Sequence, residues 1–207
     1  MSRLITEADV RSAAATGRSL DVESGIIVTP AARDLASKMG VALRKEEPGS
    51  GLRSPNPVRV AVGSDHGGFE MKEFLKDTIG KLGFVIDDVG CESNESVDYP
   101  VFAARVAERI AEGTARFGVM VDGAGIGSSM VGNKIAGVRA ALCYDVTTAG
   151  NAREHNDANM LTLGGTLVGK HLAAEIVRTF LSTEFAGGRH QRRVSMIDAL
   201  DQERTTS

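Results

Sequence analysis

From Val58 onward, short continuous apolar runs alternate with longer stretches in which apolar residues recur at helical spacing. The runs Val58 to Val62, Phe84 to Val89, Phe117 to Val121, Val138 to Tyr144 and Met160 to Leu163 read as buried strands. The intervening spacing predicts helices from Phe69 to Leu82, closed by Gly83, from Pro100 to Glu112, from about Thr147 and from Lys170 to Leu181. A last helix is expected from about Arg189 to Glu203. Such alternation predicts an α/β fold, a Rossmann-like three-layer α/β/α sandwich on a five-stranded, mainly parallel sheet. Ligands of such sheets bind beyond the carboxyl ends of the strands.

The segment KEEPGSGLRSPNP, residues 45–57, carries three of the five prolines and almost no apolar side chain, so it reads as a solvated linker. It separates an N-terminal extension, residues 1–44, from a main domain, residues 58–207. Within the extension, Thr6 with Asp9 resembles a capping box ahead of a helix from Ala8 to Ala15, and Ile26 to Val28 is a short apolar strand. Thr29 and Pro30 supply the N-cap and first position of a second helix that ends near Gly40, and Val41 to Leu43 follows as a strand. So small a segment suits docking, targeting or subunit packing better than chemistry, and is expected to form a small α/β extension.

Length and composition narrow the field. The chain has 207 residues, 42% hydrophobic and 25% charged, enough to bury a core without disulfide or metal. With 24 Lys+Arg against 27 Asp+Glu the net charge is -3, which argues against nucleic-acid binding and confines any anion site to a local patch. The two cysteines, Cys91 and Cys143, form no C-x-x-C pair, pointing to a reducing compartment and away from structural zinc. The apolar runs are too short for a membrane span, and no apolar run follows the basic residue near the start as in a secretory signal. These features predict a cytoplasmic protein, which includes one enclosed in a protein-shelled compartment.

Four segments concentrate chemistry: Ser64 to Gly68, Asp122 to Gly127, Arg153 to Asn159 and Gly187 to Arg193. The glycines of the second let backbone N–H groups approach an oxyanion or phosphate. It is no Walker loop, and Ser128 stands where a dinucleotide fingerprint needs its last glycine, although Asp145 imitates the ribose-binding acid. A tight turn is the plainer reading. Asp122 ends an apolar strand against these glycines, where a partly desolvated carboxylate can shuttle a proton; the simpler role is to accept hydrogen bonds from loop N–H groups. His66 should project from a strand end, as a ligand group or a loop brace. His155 with Asn156 offers an imidazole for proton transfer and an amide for orienting a hydroxyl. Arg189 and Arg193 lie one turn apart, able to converge on one phosphate at a helix start, where unpaired cations oppose the dipole.

The ordered motifs SDHGGFEMK at 64–72, VDYP at 97–100, GAGIG at 123–127, NKIAGVRAAL at 133–142, REHNDANML at 153–161 and GGRHQRRV at 187–194 resemble ribose-5-phosphate isomerase of the B type and the galactose-6-phosphate isomerase subunits. The resemblance covers essentially the whole main domain. It implies isomerisation of a sugar phosphate through a cis-enediolate, without metal or other cofactor, in a homodimer or homotetramer with sites at the subunit interface. Ribose 5-phosphate is the first choice of substrate, with a tetrose or hexose phosphate as the alternative.

Carried over by position, Asp65 and His66 would bind substrate, His155 would open the sugar ring and Asn156 would contact the enediolate oxygens. Arg189 and Arg193 would hold the phosphate. Backbone amides of Gly123, Gly125, Ile126 and Gly127 would form the anion hole, and Asn133, in the NKIAGVRAAL motif, would add a substrate contact. Many relatives carry a cysteine base where this chain has Asp122 and a threonine where it has Ala124; others use a glutamate at the position of Ser128. Asp122 is therefore expected to take the proton-transfer role. Thr166 stands where some members have a phosphate-contacting arginine. A different-class rival is a catalytically silent sugar-phosphate-binding or assembly protein, and a nucleotide-binding oxidoreductase is a third reading. The patterns ITEADVR and IIVTPAARDLA are similar to N-terminal segments of enzymes associated with bacterial microcompartments, which implies a shell or enzyme partner for residues 1–44.

Overall fold

The computed structural model describes residues 4–16, 19–22, 27–45 and 57–205, and the chain divides into two compact units, residues 1–54 and 55–207. In the first, Leu4–Ile5 (β1), Glu7–Thr16 (α1) and Leu20–Val22 (β2) are followed by Ile27–Val28 (β3), Pro30–Met39 (α2) and Leu43–Lys45 (β4). β1 pairs with β3 and β2 with β4, both parallel. Leu4 faces Ile27 and Leu20 faces Leu43, so both ladders share an offset of 23 residues. The unit is thus a tandem pair of strand–helix–strand halves, a repeat that the apolar pattern did not reveal.

Each half starts its helix with a threonine. Asp9 accepts from the N–H and hydroxyl of Thr6, both at 2.8 Å, and the Thr29 hydroxyl accepts from Ala32 N–H at 3.2 Å. Alanines 13, 32 and 36 are buried with Ile5, Val10 and Val41, so the helices approach closely around a small core. The expected strand at Val41 begins two residues later. Val41 N–H instead bonds Ala36 O at 2.9 Å, closing α2, and its side chain enters the core. Of the expected linker, residues 46–56 lie outside the described residues.

The second unit carries strands Arg59–Ser64 (β5), Val85–Asp88 (β6), Phe117–Asp122 (β7), Ala140–Leu142 (β8) and Met160–Gly164 (β9). Its helices are Phe69–Lys81 (α3), Tyr99–Ala111 (α4), Ile126–Gly132 (α5), Val146–Asn156 (α6), Lys170–Ser182 (α7) and Arg189–Thr205 (α8). The strands form one parallel sheet in the order β6-β5-β7-β9-β8. Side-chain alternation builds two cores. Val60, Val62, Val119, Val121, Leu161 and Leu163 pack with α3, α6 and α7, whereas Ala61, Met120 and Met160 pack on the other face with α4. This is the expected three-layer sandwich. The expected strand from Val138 to Tyr144 contracts to the three-residue edge strand β8, and α5, rich in glycine and serine, is a helix that apolar spacing did not mark.

From β5 the chain crosses through α3 to β6 on one side, whereas from β7 it crosses through α5 towards β8 on the other. The loops leaving neighbouring β5 and β7 therefore diverge, and a crevice opens at their carboxyl ends. The core supports this arrangement through its largest side chains. Phe180 of α7 is fully buried with its ring edge-on to Phe117 at 6.3 Å, and the buried Arg153 guanidinium lies 5.8 Å from it. Phe180→Ala is expected to lower stability by about 3–5 kcal/mol, read as a lower urea midpoint at unchanged slope.

Candidate active site

The crevice is built from the two loops that leave β5 and β7. Asp65 and His66 follow β5 directly. Asp65 is buried, and its Oδ1 accepts from Gly68 N–H at 3.0 Å, turning the chain into α3. Burial pushes the Asp65 carboxyl above its ordinary value against the pull of the Gly68 N–H, and the charge of Asp122 adds to the rise. A side chain at Gly68 would place its Cβ 2.1 Å from the Val121 carbonyl oxygen, so only glycine lets this turn pass so close to β7. Nδ1 of His66 lies 3.2 Å from both N and O of Val97 and is engaged there, which leaves Nε2 for a ligand.

The loop bearing Val97 is itself anchored. The ammonium of Lys72, buried on α3, donates to Asp88 and to Cys91 O, each at 2.9 Å. Burial acts to raise the Asp88 carboxyl, but Lys76, Lys72 and Gly90 N–H outweigh it and hold the group below the ordinary carboxylate value. The salt links thus brace the histidine's support.

Asp122 is the hub of the second loop. Oδ1 accepts from Ala124 N–H at 2.8 Å and from Gly125 N–H, and Oδ2 accepts from Ser128 N–H at 3.1 Å and from the Ser128 hydroxyl. Gly125 sits in the left-handed region with φ 80°, and the chain passes into α5. Of the amides expected to receive an anion, Gly125 N–H is therefore taken by Asp122. The N–H groups of Gly123, Ile126 and Gly127 have no acceptor among the described residues. The Tyr99 ring lies against Gly127, where any Cβ would fall 2.4 Å from Cζ. Beside His66 the crevice widens into a cleft of about 200 Å³, also bounded by Glu70, Asn94, Gly165 and Lys170. Among the described residues, no group of three His, Cys, Asp or Glu side chains is placed to hold a metal ion.

The other expected residues stand elsewhere. A helix that follows a parallel strand runs back across the sheet, so its C-terminus lies at the edge where strands begin. His155 and Asn156 end α6, and Arg189 and Arg193 open α8 after α7 has made the same return. They assemble there into a second cluster. The His155 and His190 rings stack at 4.3 Å with a 5° interplanar angle, and Asn151 contacts His155 Nδ1 at 2.8 Å. Slight desolvation, then the charges of His155, Arg189 and Arg193, push His190 below its ordinary value. Asn156, Arg189 and Arg193 are exposed. Asn133 faces neither cluster with a free amide, since it donates to Ser129 O and Ala140 O and accepts from Ala140 N–H, splicing α5 to β8.

One chain thus brings Asp65, His66, Asp122 and the glycine loop to one edge of the sheet, and His155, Asn156, Arg189 and Arg193 to the opposite edge. Sequence reasoning assigned no site role to Tyr99, Asn94 or Lys170. VDYP is a motif in its own right, but nothing local marks Tyr99 as the neighbour of Gly127, and Lys170 looks like any helix-opening lysine.

A histidine beside backbone amides at the switch point of a parallel sheet stands where α/β enzymes place their small-molecule sites. The chain belongs to the Ribose/Galactose Isomerase family, whose model matches residues 60–197. It is 40% identical over 146 residues to ribose-5-phosphate isomerase B of Escherichia coli, covering 70% of this chain and 98% of that protein. It is 36% identical over 143 residues to a galactose-6-phosphate isomerase subunit of Streptococcus pneumoniae, covering 69% and 99%. A solved ribose-5-phosphate isomerase B from Clostridium thermocellum superposes with a TM-score of 0.69 at 44% identity, covering 70% of this chain and 99% of that one. Among the described residues, no helix is long and apolar enough to cross a membrane.

Proposed function

We propose that this chain interconverts ribose 5-phosphate and ribulose 5-phosphate through a cis-enediolate. The observation that carries the reading is the switch-point crevice, where His66 after β5 lines a cleft and the loop after the neighbouring strand β7 carries backbone amides without acceptors among the described residues. A base removes the proton on C2 of the opened aldose, the resulting enediolate is held by N–H donors of Gly123, Ile126 and Gly127, and the proton returns at C1 as the ketose forms. Asp122 is the proposed base. Ser128 makes this feasible, because its hydroxyl donates to the carboxylate and can rotate to accept from the carboxylic acid once the proton arrives. The competing role, a loop brace alone, is favoured by the four donors that already occupy both oxygens.

Proton NMR of ribose 5-phosphate in deuterated water distinguishes them. Wild type is expected to form ribulose 5-phosphate carrying deuterium, and Asp122→Asn to lose at least about 10²-fold in turnover. Turnover by Asp122→Asn within a few-fold of wild type would leave Asp122 as a brace, and no reaction of wild type with any pentose, tetrose or hexose phosphate would favour the silent binding protein.

We further propose that a second copy completes the site; the topology supports this reading, since residues at opposite edges of one sheet cannot meet on one substrate. Val101, Ile126 and Met130 on α4 and α5, and Met196, Ile197 and Leu200 on α8, are large apolar side chains left exposed, a pattern suited to burial between copies. Mixing inactive Asp122→Asn with inactive His155→Ala should then restore activity. Random exchange of a dimer with two shared sites regenerates roughly a quarter of the wild-type sites. No recovery after verified subunit exchange would place the whole site within one chain.

Residues 1–44 lie outside the matched region, and we read them as a docking extension for a microcompartment shell or enzyme partner. Removing the residues up to Pro57 is expected to leave kcat within about twofold while abolishing co-sedimentation with shells. Loss of solubility would point instead to packing against other copies.

A further inference from the structure

Lys170 is the first residue of α7 and lies on the wall of the cleft beside His66. Its ammonium sits 5.8 Å from the centre of the Phe74 ring, and it makes no ion pair among the described residues. The cleft holds a second full charge, Glu70, at the start of α3. The helix dipoles treat the two oppositely. A carboxylate near the N-terminus of α3 is favoured, whereas an ammonium at the N-terminus of α7 opposes the dipole and gains by meeting an anion.

The neighbouring groups leave that anion to Lys170 and His66. Thr166, four residues earlier, donates its hydroxyl to Gly123 O at 2.6 Å, and Nδ1 of His66 is held by Val97. His66 Nε2, the Asn94 amide and the Lys170 ammonium are the polar groups on this wall able to donate to an oxyanion. At about 200 Å³ the cleft is smaller than the roughly 300–1,000 Å³ of complete ligand pockets. It has room for one end of a substrate.

We propose that Lys170 is a phosphate-binding residue supplied by the same chain as His66, a point cation that holds the phosphate end of the sugar phosphate in this cleft. The proposal rests on the isomerase reading for the identity of the substrate, and on the cleft alone for the binding of phosphate. As a flexible ammonium rather than a rigid guanidinium fork, Lys170 grips without fixing the phosphate's orientation.

The test uses the full chain and two probes, ribose 5-phosphate for kinetics and inorganic phosphate for binding. Lys170→Met should raise KM for ribose 5-phosphate and the inhibition constant of inorganic phosphate together, each by about 10- to 100-fold. In the same variant kcat should stay within about threefold, because the phosphate is remote from the reacting carbons. Lys170→Arg should restore most of both constants, as a merely structural lysine would not require. Inorganic phosphate should raise the melting temperature of wild type and of Lys170→Arg, and that of Lys170→Met much less. Unchanged KM and unchanged phosphate inhibition in Lys170→Met would overturn the proposal. If wild type isomerises no sugar phosphate, the isomerase reading fails, and the melting-temperature comparison still decides whether Lys170 binds phosphate.

Discussion

The convergence of backbone and side-chain donors on the Asp122 carboxylate is the constraint on which the crevice depends. β7 delivers an extended chain to the edge of the sheet, and α5 must start within four residues. Such a reversal leaves N–H groups without carbonyl partners, and those that are buried need another acceptor. One carboxylate collects Ala124, Gly125 and Ser128. The Asp122 backbone oxygen accepts from Gly165 N–H at 2.7 Å, and Gly123 O accepts from Thr166, so the loop after β9 is joined to the loop after β7. Gly165 and Lys170 on the cleft wall are thereby fixed relative to the glycine loop.

Much of this architecture is legible in the sequence because its strands are apolar on both faces. Val60 to Val62 and Phe117 to Val121 are buried throughout, so a run of apolar residues marks them without any need for periodicity. Elements that depend on tertiary context are less visible. α5, with the sequence IGSSMVG, carries few helix-forming residues and no apolar stripe, and the Asp122 carboxylate accepts from Ser128 N–H in its first turn. β8 is shorter than its apolar run: Cys143 N–H still reaches Thr162 O at 3.2 Å, but Tyr144 turns away to donate its hydroxyl to Ala124 O at 2.8 Å.

The candidate site shows the same division. Motifs identify which residues carry chemistry, since histidines, arginines and acids cluster in loops, but a motif does not say at which edge of the sheet it lies. That information resides in chain direction. Residues just after a strand and residues at the end of a returning helix lie a strand length apart, and this alone separates His66 from His155. Asn133 illustrates the opposite limit: its amide type suits a sugar hydroxyl, yet the same donors and acceptor match the unpaired backbone of an adjoining strand, which is where they are used.

The division also separates binding from catalysis in energetic terms. A cation on the phosphate end meets the same dianion before, during and after proton transfer, so it contributes almost equally to every state along the reaction. Amides beside the reacting carbons meet a charge that exists only in the enediolate and the transition states around it, so their contribution falls on the rate. A chain of net charge -3 gains no general attraction for a sugar phosphate, and both tasks therefore fall to groups placed one by one. Asp122 takes up the neighbouring N–H groups of Ala124, Gly125 and Ser128. The same carboxylate that shapes the loop leaves the N–H groups of Gly123, Ile126 and Gly127 without an acceptor among the described residues, so a change at position 122 acts on the loop geometry and on the proposed enediolate site together.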